Sequence, residues 1–172
     1  MSKRFEKYQR LPVYKKAEEL YELADVIVEA IKEDDQKDWL SGEIVGNAML
    51  IQAKIAGAEG GGLYSLRMQN AVLIKYAAYN MLNAVISTEI FGLNNEDYVD
   101  LMRDKIEEFR IEFVAWIRGF DRSYDIPDNW AIRFDTSTPE QEELEKLMFD
   151  DDKFDDDDFD DDDINPRDDQ DN

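Results

Sequence analysis

The chain contains no cysteine and no histidine among its 172 residues. The first absence excludes disulfides and thiolate metal sites. The second removes the commonest general base near neutral pH and the commonest transition-metal ligand. No uninterrupted apolar stretch reaches the ~18 residues of a membrane span, and the charged start has no apolar run behind it that could serve as a signal peptide. These absences predict a cytoplasmic protein with no membrane partner. Positive charge is also scarce, with 20 Lys and Arg against 42 Asp and Glu, a formal net charge of -22.

That charge is unevenly placed. Residues 149–172 carry 14 Asp against Lys153 and Arg167, or -12, so residues 1–148 carry the remaining -10. Residues 1–16 run the other way, with Lys3, Arg4, Lys7, Arg10, Lys15 and Lys16 against Glu6 alone. Ends of opposite sign attract each other at low salt.

The length allows one domain of ordinary size with extra segments. Four stretches have helical periodicity. The first, Pro12 to Glu33, places Val13, Ala17, Leu20, Ala24, Ile27 or Val28, and Ile31 on one side, and Pro12 suits a first helical position. The second, Gln36 to Glu59, aligns Leu40, Ile44, Ala48, Ile51, Ile55 and Ala58, with Gly60-Gly61-Gly62 as its stop. The third, Ser65 to Phe91, has Leu73, Ala77, Met81, Ala84 and Ile86 among many apolar positions and ends at Gly92. The fourth, Glu96 to Phe120, has the stripe Val99, Met102, Ile106, Phe109, Phe113, Trp116 or Ile117, and Phe120, with Asn94 and Asp97 as its start signal. Four long helices on short loops predict an all-α fold, an antiparallel up-and-down four-helix bundle. It occupies residues 1–121 with a basic N-terminal arm. Residues 122–148 follow as an extended segment, with Trp130, Ile132 and Phe134 available to lie back on the bundle, and a short helix opened by the capping box Thr138-Pro139-Glu140-Gln141. Residues 149–172 have too little apolar content for their charge and predict a disordered acidic C-terminal tail.

The second and third helices are apolar on more than one face. Met49, Ala53 and Ala56 on the second, and Tyr76, Tyr79, Leu82 and Val85 on the third, lie outside the core stripes. Two outcomes accommodate them. The segment around Trp130 covers a wider core, or the chain self-associates, because soluble monomers rarely leave large apolar patches bare. Gly46, Ala53, Ala56 and Gly57 would let another backbone come close. Asn70, Asn80, Asn83 and Ser87 are polar residues in this apolar setting, suited to satisfying one another or a partner's backbone.

The search for catalysis is empty. A di-iron bundle needs Glu-x-x-His pairs, and there is no histidine. Gly60-Gly61-Gly62 lacks the following Lys-Ser/Thr and the preceding strand of a phosphate loop, and so reads as a helix cap. Glu59 and Glu89 form the one conceivable carboxylate pair. The expectation is a non-enzymatic protein with no cofactor and no metal.

Four segments carry a resemblance: "VYKKAEELYELA", "AMLIQAKIAGAEGG", "LYSLRMQNAVLIKYAAYNMLNAVISTEIFGL" and "FRIEFVAWIRGF". Over residues 11–121 they are similar to the four-helix-bundle family encoded in intervening sequences of large-subunit ribosomal RNA genes, which includes the accessory variability determinants of diversity-generating retroelements. The resemblance implies a homo-oligomer, typically a five-subunit barrel without catalysis. For the retroelement members it implies binding to a reverse transcriptase and to RNA or DNA through basic surface. Here the body is acidic, which narrows phosphate contact to the arm: Lys3, Arg4, Lys7, Tyr8, Arg10, Lys15 and Lys16, with aromatic rings among the cations for base stacking. The arm reads equally as the solvated start of the first helix. Met49, Ala53, Ala56, Tyr76, Tyr79 and Leu82 are the candidate oligomer interface.

The tail has its own pattern, "FDDDKFDDDDFDDDDINP", with Phe149, Phe154 and Phe159 repeating every five residues. Extended aspartates stand ~3.3–3.6 Å apart, near the ~3.4 Å charge spacing of one DNA strand, so the run mimics nucleic acid in outline. "FDDDDINP" resembles the acidic tip of bacterial single-stranded-DNA-binding proteins, without the closing phenylalanine. Three roles remain open: a solubilising tail, a docking peptide through Phe154 and Phe159 that could also compete with the basic arm, and a mimic that inhibits a basic protein.

Overall fold

The computed structural model describes residues 5–126, Trp130 and 138–148. Among the described residues six helices follow one another: α1 (Phe5–Tyr8), α2 (Pro12–Ala30), α3 (Lys37–Gly61), α4 (Tyr64–Ile90), α5 (Asp97–Arg118) and α6 (Pro139–Met148). There is no strand among the described residues. The chain divides at Phe134–Asp135 into two units, the first holding α1–α5 and the second α6. In the first, the four long helices pack against each other: α2 lies against α3 and α5, and α4 against the same two helices. The α3–α4 contact is the most extensive and the α4–α5 contact the least. No helix among the described residues is long and apolar enough to cross a membrane.

The amphipathic stripes expected for α2 and α3 are the core. Leu20, Ala24, Ile27, Leu40, Ile44, Ile51 and Ile55 have no solvent exposure. Each large apolar side chain buried this way stabilises the fold by ~1.5–3 kcal/mol. α5 ends at Arg118 rather than Phe120; its stripe holds Val99, Met102, Phe109 and Phe113 in the core, joined by Phe120 just past the helix, while Ile106, Trp116 and Ile117 are half-buried against it. Its aromatic rings follow in sequence, Phe109 to Phe113 at 5.6 Å, Phe113 to Trp116 at 5.9 Å and Trp116 to Phe120 at 4.8 Å. In α4 Ala77, Met81 and Ala84 of the expected stripe are buried and Ile86 is half-buried against the core, but its first position is not. Leu73 is 43 % exposed and Ile74 fills the core instead, while Val85, assigned to the surplus face, is fully buried. Apolar residues surround α4, so spacing alone does not choose between adjacent positions.

The helix ends are set by tertiary hydrogen bonds that periodicity does not reveal. α2 stops at Ala30 rather than Glu33 because Ile31 turns to extended backbone. Lys32 N–H then donates to Leu93 O at 3.0 Å, and Lys32 Nζ donates to Gly92 O at 3.0 Å. Asn94 does not start α5. Its Nδ2 donates to Ile27 O and so caps the carbonyl end of α2, while Asn95 receives the Asp97 N–H. α3 continues through Gly60 and Gly61, and only Gly62, with φ 76°, makes the left-handed turn. A non-glycine residue in that conformation is strained by roughly 1–2 kcal/mol. Gly62→Ala is therefore expected to lower unfolding free energy by about that amount. Gly60→Ala, exposed and with nothing within 4 Å of an added Cβ, should instead raise it by about 0.5–1 kcal/mol through helix propensity. Urea unfolding of the two variants separates these outcomes.

The segment after α5 begins by joining the bundle. Tyr64 N–H donates to Tyr124 O at 2.9 Å, and Asp125 Oδ1 accepts from both Ser65 N–H and Ser65 Oγ. Trp130 is 83 % exposed, so it does not cover the second faces of α3 and α4; Ile132 and Phe134 lie outside the described residues. In the second unit, Thr138 and Gln141 form the expected reciprocal cap, Thr138 N–H to Gln141 Oε1 at 2.8 Å and Gln141 N–H to Thr138 Oγ1 at 3.4 Å.

Candidate interaction surfaces

The outward side of α3 and α4 carries several exposed large apolar residues in a chain whose residues are 36 % charged. Met49 is 56 % exposed, Tyr76 68 % and Tyr79 59 %, Ala53 is exposed, and Ala56 and Leu82 are half-buried. Trp39, Leu50, Val72, Leu73 and Ile90 extend the same surface and were missed from the sequence. A signal for α4 was present: Val72, Tyr76, Tyr79, Asn83, Ile86 and Ile90 alternate steps of four and three. That is the heptad spacing of a helix with a second apolar seam. An added Cβ at Gly42 or Gly46 would meet nothing within 4 Å, so the α3 backbone is open to close approach there. Asn70 and Ser87 satisfy themselves within α4, donating to Leu66 O and Asn83 O, whereas Asn80 and Asn83 lie exposed on the outward side.

The sides of α2 and α5 away from the core are charged, with Glu18, Glu22, Asp100, Asp104 and Glu107 exposed. Where these helices meet, Lys16 donates to Glu19 at 2.8 Å and Glu108 at 2.9 Å, and Lys105 donates to both at 3.0 Å, closing a ring of four charges. Hydrogen bonds from Lys16 and Lys105 lower the carboxyl pKa of Glu19 and Glu108, and those carboxylates push Lys16 up to about 12. A carboxyl depressed in the folded state adds stability above its unfolded value, 4.5, and that stability is lost as pH falls through the folded value. Lys16 adds stability fully below 10.5 and loses it as pH rises through about 12. The pairs are solvent-exposed, so added salt screens them. Lys16→Met is expected to reduce the loss of melting temperature between pH 6 and pH 3 at low salt, and an unchanged pH profile would count against the ring.

This places Lys16 in a structural role within the arm. Tyr8 packs edge-on against Tyr14 at 4.9 Å, which limits its ring for base stacking. Lys7, Arg10 and Lys15 are exposed, and Lys3 and Arg4 lie outside the described residues, as do Phe154 and Phe159.

At the α3–α4 corner, Glu59 accepts hydrogen bonds from Arg67 and from Trp116 Nε1, the latter at 2.9 Å. The Arg67 guanidinium lies 4.0 Å from the centre of the Phe120 ring. Glu59 sits beside the first turn of α4 and Glu89 in its last turn, and the helix rise between Arg67 and Glu89 is about 33 Å. The two carboxylates therefore cannot act on one substrate. Among the described residues no cluster of three or more Asp or Glu is arranged to hold a metal ion.

A groove of about 450 Å³ opens between α4 and α5, where the helices touch least. Ala78, Leu82, Ile106 and Phe113 form its apolar part, and Lys75, Glu107 and Arg110 line it with charge. Glu107 accepts two bonds from Arg110 at 2.6 Å each, and the Lys75 ammonium lies 5.9 Å from the Tyr79 ring centre. Comparison with protein-family models, with curated proteins and with solved structures gives no match to this chain.

Proposed function

We propose that the chain is a non-enzymatic scaffold, an antiparallel up-and-down four-helix bundle that associates with copies of itself through the outward side of α3 and α4. The observation that carries this reading is the set of exposed apolar residues on α3 and α4. In a chain of net charge -22, Met49, Leu50, Val72, Leu73, Tyr76 and Tyr79 are exposed on two adjoining helices, with Lys75 the one charged residue within residues 72–79. Like-charged copies would meet there without placing acidic groups against each other. The family resemblance of residues 11–121 favours five copies in a ring.

On such a ring the basic arms would be repeated, and repeated weak contacts bind far more tightly than one. The reading extends to an accessory role for a nucleic-acid-handling enzyme, a reverse transcriptase being the first choice, with Lys7, Arg10 and Lys15 touching phosphates of RNA or DNA. Sedimentation velocity across concentration tests the association, and a mass of one chain at all concentrations would overturn it. Fluorescence anisotropy with single-stranded RNA across salt tests the arm. Lys7→Glu with Arg10→Glu should abolish binding and flatten its salt dependence. Undetectable binding by the wild-type chain at low salt would remove the nucleic-acid role and leave the acidic mimic as the better reading.

A further inference from the structure

We infer that the groove between α4 and α5 is a binding site for a small amphipathic acid, an unbranched apolar chain ending in one carboxylate. Lys75 would hold the carboxylate, and Leu82, Ile106 and Phe113 the chain. The groove's volume, about 450 Å³, falls within the range of small-molecule sites, and like them it combines an apolar lining with a few polar groups. Both helices belong to one unit of the chain, so the bundle alone makes the site.

The groove has a direction. The Arg67 guanidinium, at the start of α4, lies 4.0 Å from the centre of the Phe120 ring, just past the end of α5, so the two helices run in opposite senses. Lys75 therefore stands at the end of the groove nearer Phe113 and Val114, and Leu82 at the end nearer Ile106 and Glu107. The helix rises about 10 Å from Lys75 to Leu82 and about 12 Å from Ile106 to Val114. A trough between two neighbouring helices is long and narrow, a shape that suits an extended acyl chain.

Its charges are not all matched. Glu107 and Arg110 cancel, joined by two bonds of 2.6 Å. The other described ion pairs of α5 join Asp100 to Arg103 and Glu108 to Lys16 and Lys105, and none reaches Lys75. The Lys75 ammonium lies 5.9 Å from the centre of the Tyr79 ring, itself a wall of the groove, which keeps the charge at the rim. In a chain with 42 acidic side chains against 20 basic ones, an ammonium left without a carboxylate beside an apolar trough is a place for an anion from outside. A phosphate backbone would use Lys75 and leave the apolar floor empty. An apolar helix face would use the floor and desolvate Lys75, Glu107 and Arg110 against it, at a cost. One carboxylate on an apolar chain uses both parts. Tyr79 and Leu82 also belong to the proposed association surface, but the site does not rest on association.

The test is titration of the isotope-enriched full-length chain with octanoate, below its micellar concentration, followed by amide shifts in NMR. Shifts gathered in Lys75–Leu82 and Ile106–Val114 are expected. Affinity should rise by up to about fourfold per methylene from hexanoate to octanoate and level off in dodecanoate, whose chain is longer than the groove. Octanol keeps the chain without the charge and should bind about fivefold more weakly than octanoate. Lys75→Ala, at an exposed position, should remove that difference by weakening octanoate alone. Lys75→Glu should reverse the order of octanoate and octylamine, a readout that a merely structural role for Lys75 would not move. No shifts up to the micellar limit, shifts centred on Met49 and Leu50 of α3, equal affinities of the wild-type chain for octanoate and octanol, or octanoate binding that survives both Lys75 substitutions unchanged would overturn the inference.

Discussion

Under the proposed association through α3 and α4, Tyr76→Glu combined with Ala53→Glu is expected to leave a folded single chain. Both positions are exposed in the isolated bundle, Tyr76 by 68 %. A carboxylate at either place is solvated there, and folding stability should change by no more than about 0.5 kcal/mol. Between copies the result differs. Each added charge would be desolvated without a partner, and an uncompensated buried charge costs on the order of 3–5 kcal/mol. One such cost weakens association by roughly two to three orders of magnitude. Sedimentation velocity should show the shift in mass, with thermal unfolding by circular dichroism showing that helix content is retained. Tyr76→Phe keeps the apolar area and should keep the assembly. If the double glutamate variant holds the wild-type mass, α3 and α4 do not form the interface.

How much of this was legible in the sequence depends on each helix's polar face. α2 and α5 alternate charged and apolar positions, so the buried sets Val13–Ala17–Leu20–Ala24–Ile27 and Val99–Met102–Phe109–Phe113 followed from spacing. α3 was readable because its large residues Leu40, Ile44, Ile51 and Ile55 recur at steps of four and seven on one side, although Trp39, Met49 and Leu50 are exposed elsewhere on the helix. α4 has apolar residues all round, and there spacing confused Leu73 with Ile74 and placed Val85 outside. The surplus surface was foreseen as a quantity, and Met49, Tyr76 and Tyr79 were named. Trp39, Val72 and Ile90 were not, because a second seam is visible only once the first has been assigned. The groove was not legible at all: it arises from the loose approach of α4 to α5, and no single helix encodes that distance. Asn94 shows a related limit, since a residue with the chemistry of an N-cap was used to close the end of another helix 67 residues earlier.

Met49 and Ile51 stand two residues apart in α3 and provide the strongest contrast between folding and association. Ile51 has no exposure and lies in the core, whereas Met49 is 56 % exposed on the outward side. Ile51→Ala removes buried methyl and methylene groups and leaves a cavity that packed helices close only in part. The expected loss is about 2–5 kcal/mol of unfolding free energy. Met49→Ala in the isolated bundle removes contacts chiefly with water and should change folding by less than about 0.5 kcal/mol. In an associated protein, however, unfolding is linked to assembly, so apparent stability rises with concentration and both variants could lower the melting point. The comparison is therefore made in the Tyr76→Glu, Ala53→Glu background, where one chain unfolds by itself. There Ile51→Ala should retain its full effect and Met49→Ala should have almost none. With the association surface restored, Met49→Ala should weaken assembly while the midpoint at the dilution limit stays unchanged. Equal losses for the two substitutions in the single-chain background would mean that Met49 belongs to the core and that α3 has one apolar side rather than two.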